Sequence, residues 1–96
     1  MRLRFSRDAK QDLFEIVRYI AQDNSLRASS FADELMLACQ ELADQPERFA
    51  VLNRYADREL RRRPYGNYSI IYTVGSEAVF IVRIVSSARD LDALID

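Results

Sequence analysis

The chain has 96 residues, 49% apolar and 30% charged, a balance typical of folded globular domains and outside the disordered range. It has no histidine, no tryptophan and one cysteine, which excludes disulfide scaffolds, zinc sites and every catalytic constellation that needs an imidazole. The formal net charge of −1 and a pI near 5.4 exclude an indiscriminate binder of polyanions.

Leu3 and Phe5 alternate with Arg2 and Arg4, which predicts a short strand with one wet face. Ser6 is placed to cap a helix, and Asp8 suits the positive end of its dipole. Ala9, Leu13, Ile16, Val17 and Ile20 then recur at helical spacing, up to the polar gap Gln22-Asp23-Asn24-Ser25. A second helix follows, with Ala28, Phe31, Ala32, Leu35, Met36, Cys39, Leu42 and Ala43 on one face and Pro46 beyond its end. A gap of about four residues folds two such helices into an antiparallel hairpin. Phe14 lies about 120° from the centre of the first stripe, and Leu37 sits nearly opposite the second. Both are scattered surface residues or the footing of a partner segment.

Residues 47–57 read as a loop and 58–63 as a basic segment around Leu60, closed by the turn cluster Pro64-Tyr65-Gly66-Asn67. Tyr68 to Val74 is the clearest strand, and Ala78 to Val85 is an apolar, central one. Gly75-Ser76 between them suits a type II′ turn. Residues 86–96 form a tail in which Leu91, Leu94 and Ile95 make one helical turn. The order β-α-α-β-β-β predicts an α+β fold. An N-terminal strand and a helical hairpin pack on an antiparallel sheet of three to four strands, as one domain over residues 1–96. No signal peptide and no stretch of ~18 apolar residues is present, so the expectation is a cytoplasmic protein without membrane contact.

Candidate chemistry is confined to a few groups. Cys39 falls in an apolar stripe and reads as an inert core thiol. Asp90, Asp92 and Asp96 lack calcium-loop spacing, so neither metal nor cofactor is expected. All but one of the 14 basic residues are arginine, Lys10 being the exception. Arg58, Arg61, Arg62 and Arg63 cluster beside Tyr65, Tyr68 and Tyr72, with Arg83 and Arg89 on the last strand and its exit. On an uncovered sheet face they would make a concave basic surface for phosphate or acidic side chains. They are equally open to two other readings: a solvated sheet face, or pairing with the acidic residues of the helices.

Three stretches resemble ParE-type toxins of the ParE/RelE superfamily. The first runs Asp12-Leu13-x-x-Ile16-x-x-Tyr19-Ile20-Ala21-x-Asp23, with Ala28, Phe31 and Leu42-Ala43-x-x-Pro46 following. The second is Leu60-Arg61-Arg62-x-Pro64-x-Gly66-Asn67-Tyr68-x-Ile70-Ile71-Tyr72, and the third Ile81-Val82-Arg83-Ile84-Val85 with Ala88-Arg89-Asp90-Leu91. The resemblance implies the toxin of a type II toxin–antitoxin module of the plasmid-stabilisation kind, acting on DNA gyrase. It further implies a hetero-oligomeric complex with a ParD-like antitoxin, through which alone DNA is contacted. The antitoxin is expected on Phe14, Tyr19, Leu37, Arg58, Arg61 and Arg83, and the target on Arg62, Arg63, Tyr65, Arg89 and Asp90. Ser86-Ser87 departs from the His-Gly pair that many members carry there.

Two alternatives stand beside this reading. One is a ribosome-dependent ribonuclease like the RelE branch, with Arg61, Arg62, Tyr72 and Arg83 as its candidate groups. With no histidine, and with no tyrosine after Tyr72, its acid–base set is incomplete, so enzymatic activity is not the first expectation. The other is a partner-binding module without toxicity.

Overall fold

The computed structural model describes residues 1–89 together with Leu91 and Ala93; Asp90 and the helical-turn residues Leu94 and Ile95 lie outside the described residues. The elements are β1 (Arg2–Phe5), α1 (Arg7–Asp23), α2 (Ser25–Asp44), a 3-10 turn (Asn53–Arg58), β2 (Arg61–Tyr65), β3 (Tyr68–Val74) and β4 (Ala78–Ser86). The α+β fold is as the sequence predicts, a helical hairpin on a four-stranded sheet of order β1-β4-β3-β2. The sheet is mixed, however. β2, β3 and β4 form an antiparallel meander, whereas β1 joins β4 in parallel, Leu3 beside Val79 and Phe5 beside Ile81. Strand direction leaves no trace in the alternation of four residues, because a parallel and an antiparallel neighbour bury the same face.

Both helices begin where capping chemistry dictates. Ser6 Oγ accepts from the Ala9 N–H at 2.9 Å, and Asp8 occupies the first turn of α1. The gap between the helices is a single residue. Asn24 donates its N–H to the Ile20 carbonyl, closing α1, while its Oδ1 accepts from the Arg27 N–H at 2.9 Å to open α2. α2 fully buries Ala28, Phe31, Leu35, Ala38, Cys39, Leu42 and Ala43, whereas α1 fully buries Ala9 alone. The second helix is therefore the keel of the core, and the first lies along its flank.

The main core unites α2 with Ile70, Tyr72, Val79, Ile81 and Ile84 of the sheet, and Leu13, Ile16 and Ile20 of α1 pack at its margin. The opposite sheet face is also covered. Tyr55 and Leu60 from the segment before β2 form a second cluster with Ile71 and Val85, flanked by Leu52, Val82 and Leu91. The expected loop over residues 47–57 thus contains most of a 3-10 turn whose Tyr55 is a core residue.

Two turn assignments shift. Pro64 and Tyr65 belong to β2, with Tyr65 paired to Tyr68 across the two-residue turn Gly66-Asn67. Proline is tolerated there because β2 is an edge strand and has an unpaired side. Gly66 has φ +56°, the left-handed value that the first position of a type II′ turn demands. Gly75 does not adopt a positive φ, so the β3–β4 connection is not the expected II′ turn. Its lack of a side chain serves close approach instead, since a Cβ there would lie 2.9 Å from Phe80 Cε2.

Candidate functional site

Strand alternation splits the basic segment between the two sheet faces. Arg61 and Arg63 point to the helical side and are tied down there. Arg61 Nη1 donates to the Phe49 carbonyl. Arg63 Nη1 donates to the Ala38 carbonyl at 2.8 Å and to Glu41 at 2.9 Å, with its guanidinium 5.5 Å from the Phe49 ring. Arg62 faces the other way and gives its Nε–H to Ser69 Oγ at 2.8 Å. Arg58 ends the 3-10 turn rather than sitting in β2, so it stands off the sheet. The proposed concave basic surface is not formed as one face. Arg63 pairs with Glu41 of α2 and Arg83 with Asp12 of α1, as the third of the open readings has it, whereas Arg61 and Arg62 bond to a loop carbonyl and to Ser69.

The register between β3 and β4 slips at Ile71/Tyr72, leaving Val82 as the extra residue of a bulge just before Arg83. Arg83 makes a bidentate pair with Asp12 of α1, Nε to Oδ2 at 2.7 Å and Nη2 to Oδ1 at 2.9 Å. Asp12 Oδ2 also accepts the Ile84 N–H at 2.9 Å. Ser6 Oγ donates to the Val82 carbonyl at 2.7 Å. Where β1 ends, two side chains of the α1 region thus take over the edge of β4. The carboxylate holds the Arg83 guanidinium charged, pushing its pKa above the ordinary arginine value. Asp12 was legible as part of the family motif but not as the partner of Arg83, 71 residues away. Its one signal is a carboxylate on the flank of the apolar stripe, four residues before Ile16.

The four residues of the nuclease alternative divide three ways. Arg61 and Tyr72 are register neighbours, but Tyr72 is fully buried and donates its hydroxyl to the Pro46 carbonyl at 3.0 Å. Burial pushes its pKa up, away from general-base use. Arg62 lies on the opposite face and Arg83 is bound to Asp12. Tyr65 donates to Glu34 on α2 at 3.0 Å, which links one target candidate to the helices as well. Cys39 is buried, its thiol pushed up to about 12 by desolvation.

The exposed apolar residues are also dispersed. Phe14 is 61% exposed and lines a groove of about 440 Å³ with Leu13, Val17, Ala32 and Met36, at the outer seam of the two helices. Tyr19, 67% exposed, lies over a cleft of about 380 Å³ with Asp12, Ile16, Arg83 and Arg89. Leu37 is exposed on α2 and lines neither. Ala32 and Met36, assigned from sequence to the core stripe, are only partly buried and belong to the groove. No helix among the described residues is long and apolar enough to cross a membrane.

The architecture is an α+β fold, a helical hairpin on a mixed four-stranded sheet. A chain of the chromosomal ParDE TA system from P. aeruginosa superposes with a TM-score of 0.73, over 90% of this chain and 95% of that chain, at 18% identity. No curated protein matches the sequence. The family model for the ParE toxin of the type II toxin–antitoxin system, parDE, matches residues 3–91, and the chain belongs to that family.

Proposed function

We propose that this ParE-family chain is a cytoplasmic toxin that poisons DNA gyrase and is held inactive by a ParD-like antitoxin seated on the outer seam of the helical hairpin. The observation that carries the antitoxin half is the groove of Leu13, Phe14, Val17, Ala32 and Met36, beside a helix that fully buries one residue. A partner segment with apolar residues at helical spacing complements such a seam, and acidic residues flanking it meet Lys10 at its rim. Of the footprint expected from sequence, Phe14 sits in this groove and Tyr19 and Arg83 line the cleft on the other flank of α1. Leu37, Arg58 and Arg61 contribute only if the antitoxin wraps further. DNA contact is left to the antitoxin.

The gyrase half is supported by family membership and by the internal ties of Arg61, Arg62, Tyr72 and Arg83, each of which already holds a partner within the fold. Purified toxin added to gyrase and relaxed plasmid should block supercoiling and trap cleaved DNA, and equimolar antitoxin should restore supercoiling. Messenger RNA fragmentation on induction, with gyrase unaffected, would replace this reading by the ribonuclease. Normal growth on induction would replace it by the non-toxic binding module.

A further inference from the structure

We infer that the outer edge of β1 is a docking strand for an extended acidic segment of a partner protein, which joins the sheet beside residues 2–5. The sheet has two terminal strands, β1 and β2. β2 is blunted on its outer side: Val51 bridges Arg61, the Leu52 N–H donates to the Leu60 carbonyl at 2.8 Å, and Pro64 has no N–H to give. On β1 the Arg2 N–H donates to the Glu77 carbonyl at 3.0 Å, and just past the strand the Ser6 N–H donates to the Ile81 carbonyl at 2.9 Å. These two bonds fix the phase of the parallel ladder, so Arg2 and Arg4 turn their backbone groups to β4. Leu3 and Phe5 therefore each turn an N–H and a carbonyl outward, two donors and two acceptors along a terminal strand.

The side chains around that edge select the partner. Leu3 and Phe5 pack on the main core, whereas Arg2 and Arg4 are exposed on the opposite face, with Arg4 beside the half-exposed Phe80. Arg4, Phe80 and Lys10 line a cavity of about 400 Å³ together with Leu3 and Phe5, and Lys10 and Phe5 also line the groove of the helical hairpin. Among the described residues, none of Arg2, Arg4 and Lys10 is held in an ion pair. An incoming strand sets alternate residues on opposite faces. Acidic residues two apart then meet Arg2 and Arg4, and the apolar residue between them extends the surface of Leu3 and Phe5 toward the groove. A second copy of this chain does not fit. Antiparallel pairing of two β1 strands through Leu3 sets Arg4 opposite Arg4, or Arg2 opposite Arg4, and like charges directly opposite are destabilising. The strand site borders the groove assigned above to the antitoxin, yet it does not depend on what fills that groove.

The test is a titration of the isotope-labelled chain with a capped hexapeptide that alternates glutamate and valine, following the backbone N–H groups of residues 2–5. At a peptide concentration about ten times the dissociation constant, solvent exchange of the Leu3 and Phe5 N–H groups should slow about tenfold, because both gain partners. The Arg2 and Arg4 N–H groups, already turned to β4, should keep their rates. Arg4→Glu should weaken the glutamate peptide about tenfold or more and accept in its place a peptide alternating lysine and valine, which also shows that the variant is folded. Arg18→Gln, on the exposed side of α1, should bind as the parent does. The inference is overturned if Leu3 and Phe5 stay unprotected at saturation, or if the shifts fall on Phe14 and Val17 alone. It is overturned equally if the lysine peptide binds the parent as tightly as the glutamate one. Protection of Leu3 and Phe5 that grows with protein concentration in the absence of peptide would replace the acidic partner by a second copy.

Discussion

One carboxylate on α1 holds three donors of β4: two from the Arg83 guanidinium and the Ile84 N–H. Because the pair is largely withdrawn from water, with both side chains under one-fifth exposed, removing one partner strands the other. Asp12→Ala should cost about 3 kcal/mol in urea unfolding, far more than an exposed ion pair. A double-mutant cycle with Arg83→Ala should show a coupling above about 1 kcal/mol; additive losses would mean that Asp12 acts through the backbone alone. Cys39 is the opposite case, a group kept silent. With its thiol pushed up to about 12, the thiolate fraction at pH 8 falls on the order of a thousandfold, so a thiol reagent should label it only after urea unfolding. Glu34 is an exposed carboxylate with two donors, Arg27 and Tyr65. The Arg27 hydrogen bond, and then that from Tyr65, hold its carboxyl below the ordinary range. A carboxylate depressed in the folded state stabilises at neutral pH, and that contribution fades as pH falls through the folded value. Glu34→Gln should therefore flatten the loss of Tm between about pH 5 and 3 at low salt, and the difference should vanish at high salt.

At the scale of elements, the strongest constraint on the hairpin rests on Asn24, which terminates one helix and caps the next. Asn24→Ala should lower stability by about 1 kcal/mol, whereas Asn24→Ser, with an equivalent acceptor, should recover most of it in thermal denaturation. The helices, β3 and β4 were legible in the sequence because each carries a long apolar pattern at its own period, and the caps Ser6 and Asn24 stand where hydrogen-bonding residues interrupt it. The segment before β2 was not. Asn53 to Arg58 has no amphipathic repeat, and three consecutive arginines cannot show an alternation even though β2 has one, Arg61 and Arg63 inward and Arg62 outward. The II′ turn was assigned to Gly75 and belongs to Gly66, since sequence alone does not separate a glycine needed for φ from one needed for room. The arginine constellation was visible as composition, but its partition between faces depends on register and on partners 7 to 71 residues distant.

Considered whole, the molecule ties the arginines of β2 and β4 into the fold and leaves most of its exposed large apolar side chains, Phe14, Tyr19, Leu26 and Leu37, on the helices. Phe14→Ser is exposed and should leave unfolding free energy within about 0.5 kcal/mol of the parent. The same change should weaken antitoxin binding about tenfold or more in a titration, as loss of an aromatic anchor does. Unaltered affinity would move the footprint to the cleft beneath Tyr19. The parallel pairing of β1 with β4 has a consequence in time. That seam joins residues 2–5 to residues 78–81. Contacts so distant in sequence carry a high loop-closure cost and slow folding. A ribosome must therefore have made nearly the whole chain before the sheet can close, and any product cut short of β4 keeps β1 without its neighbour. Premature fragments thus hold a β2–β3 pair and a first strand that cannot join into one sheet.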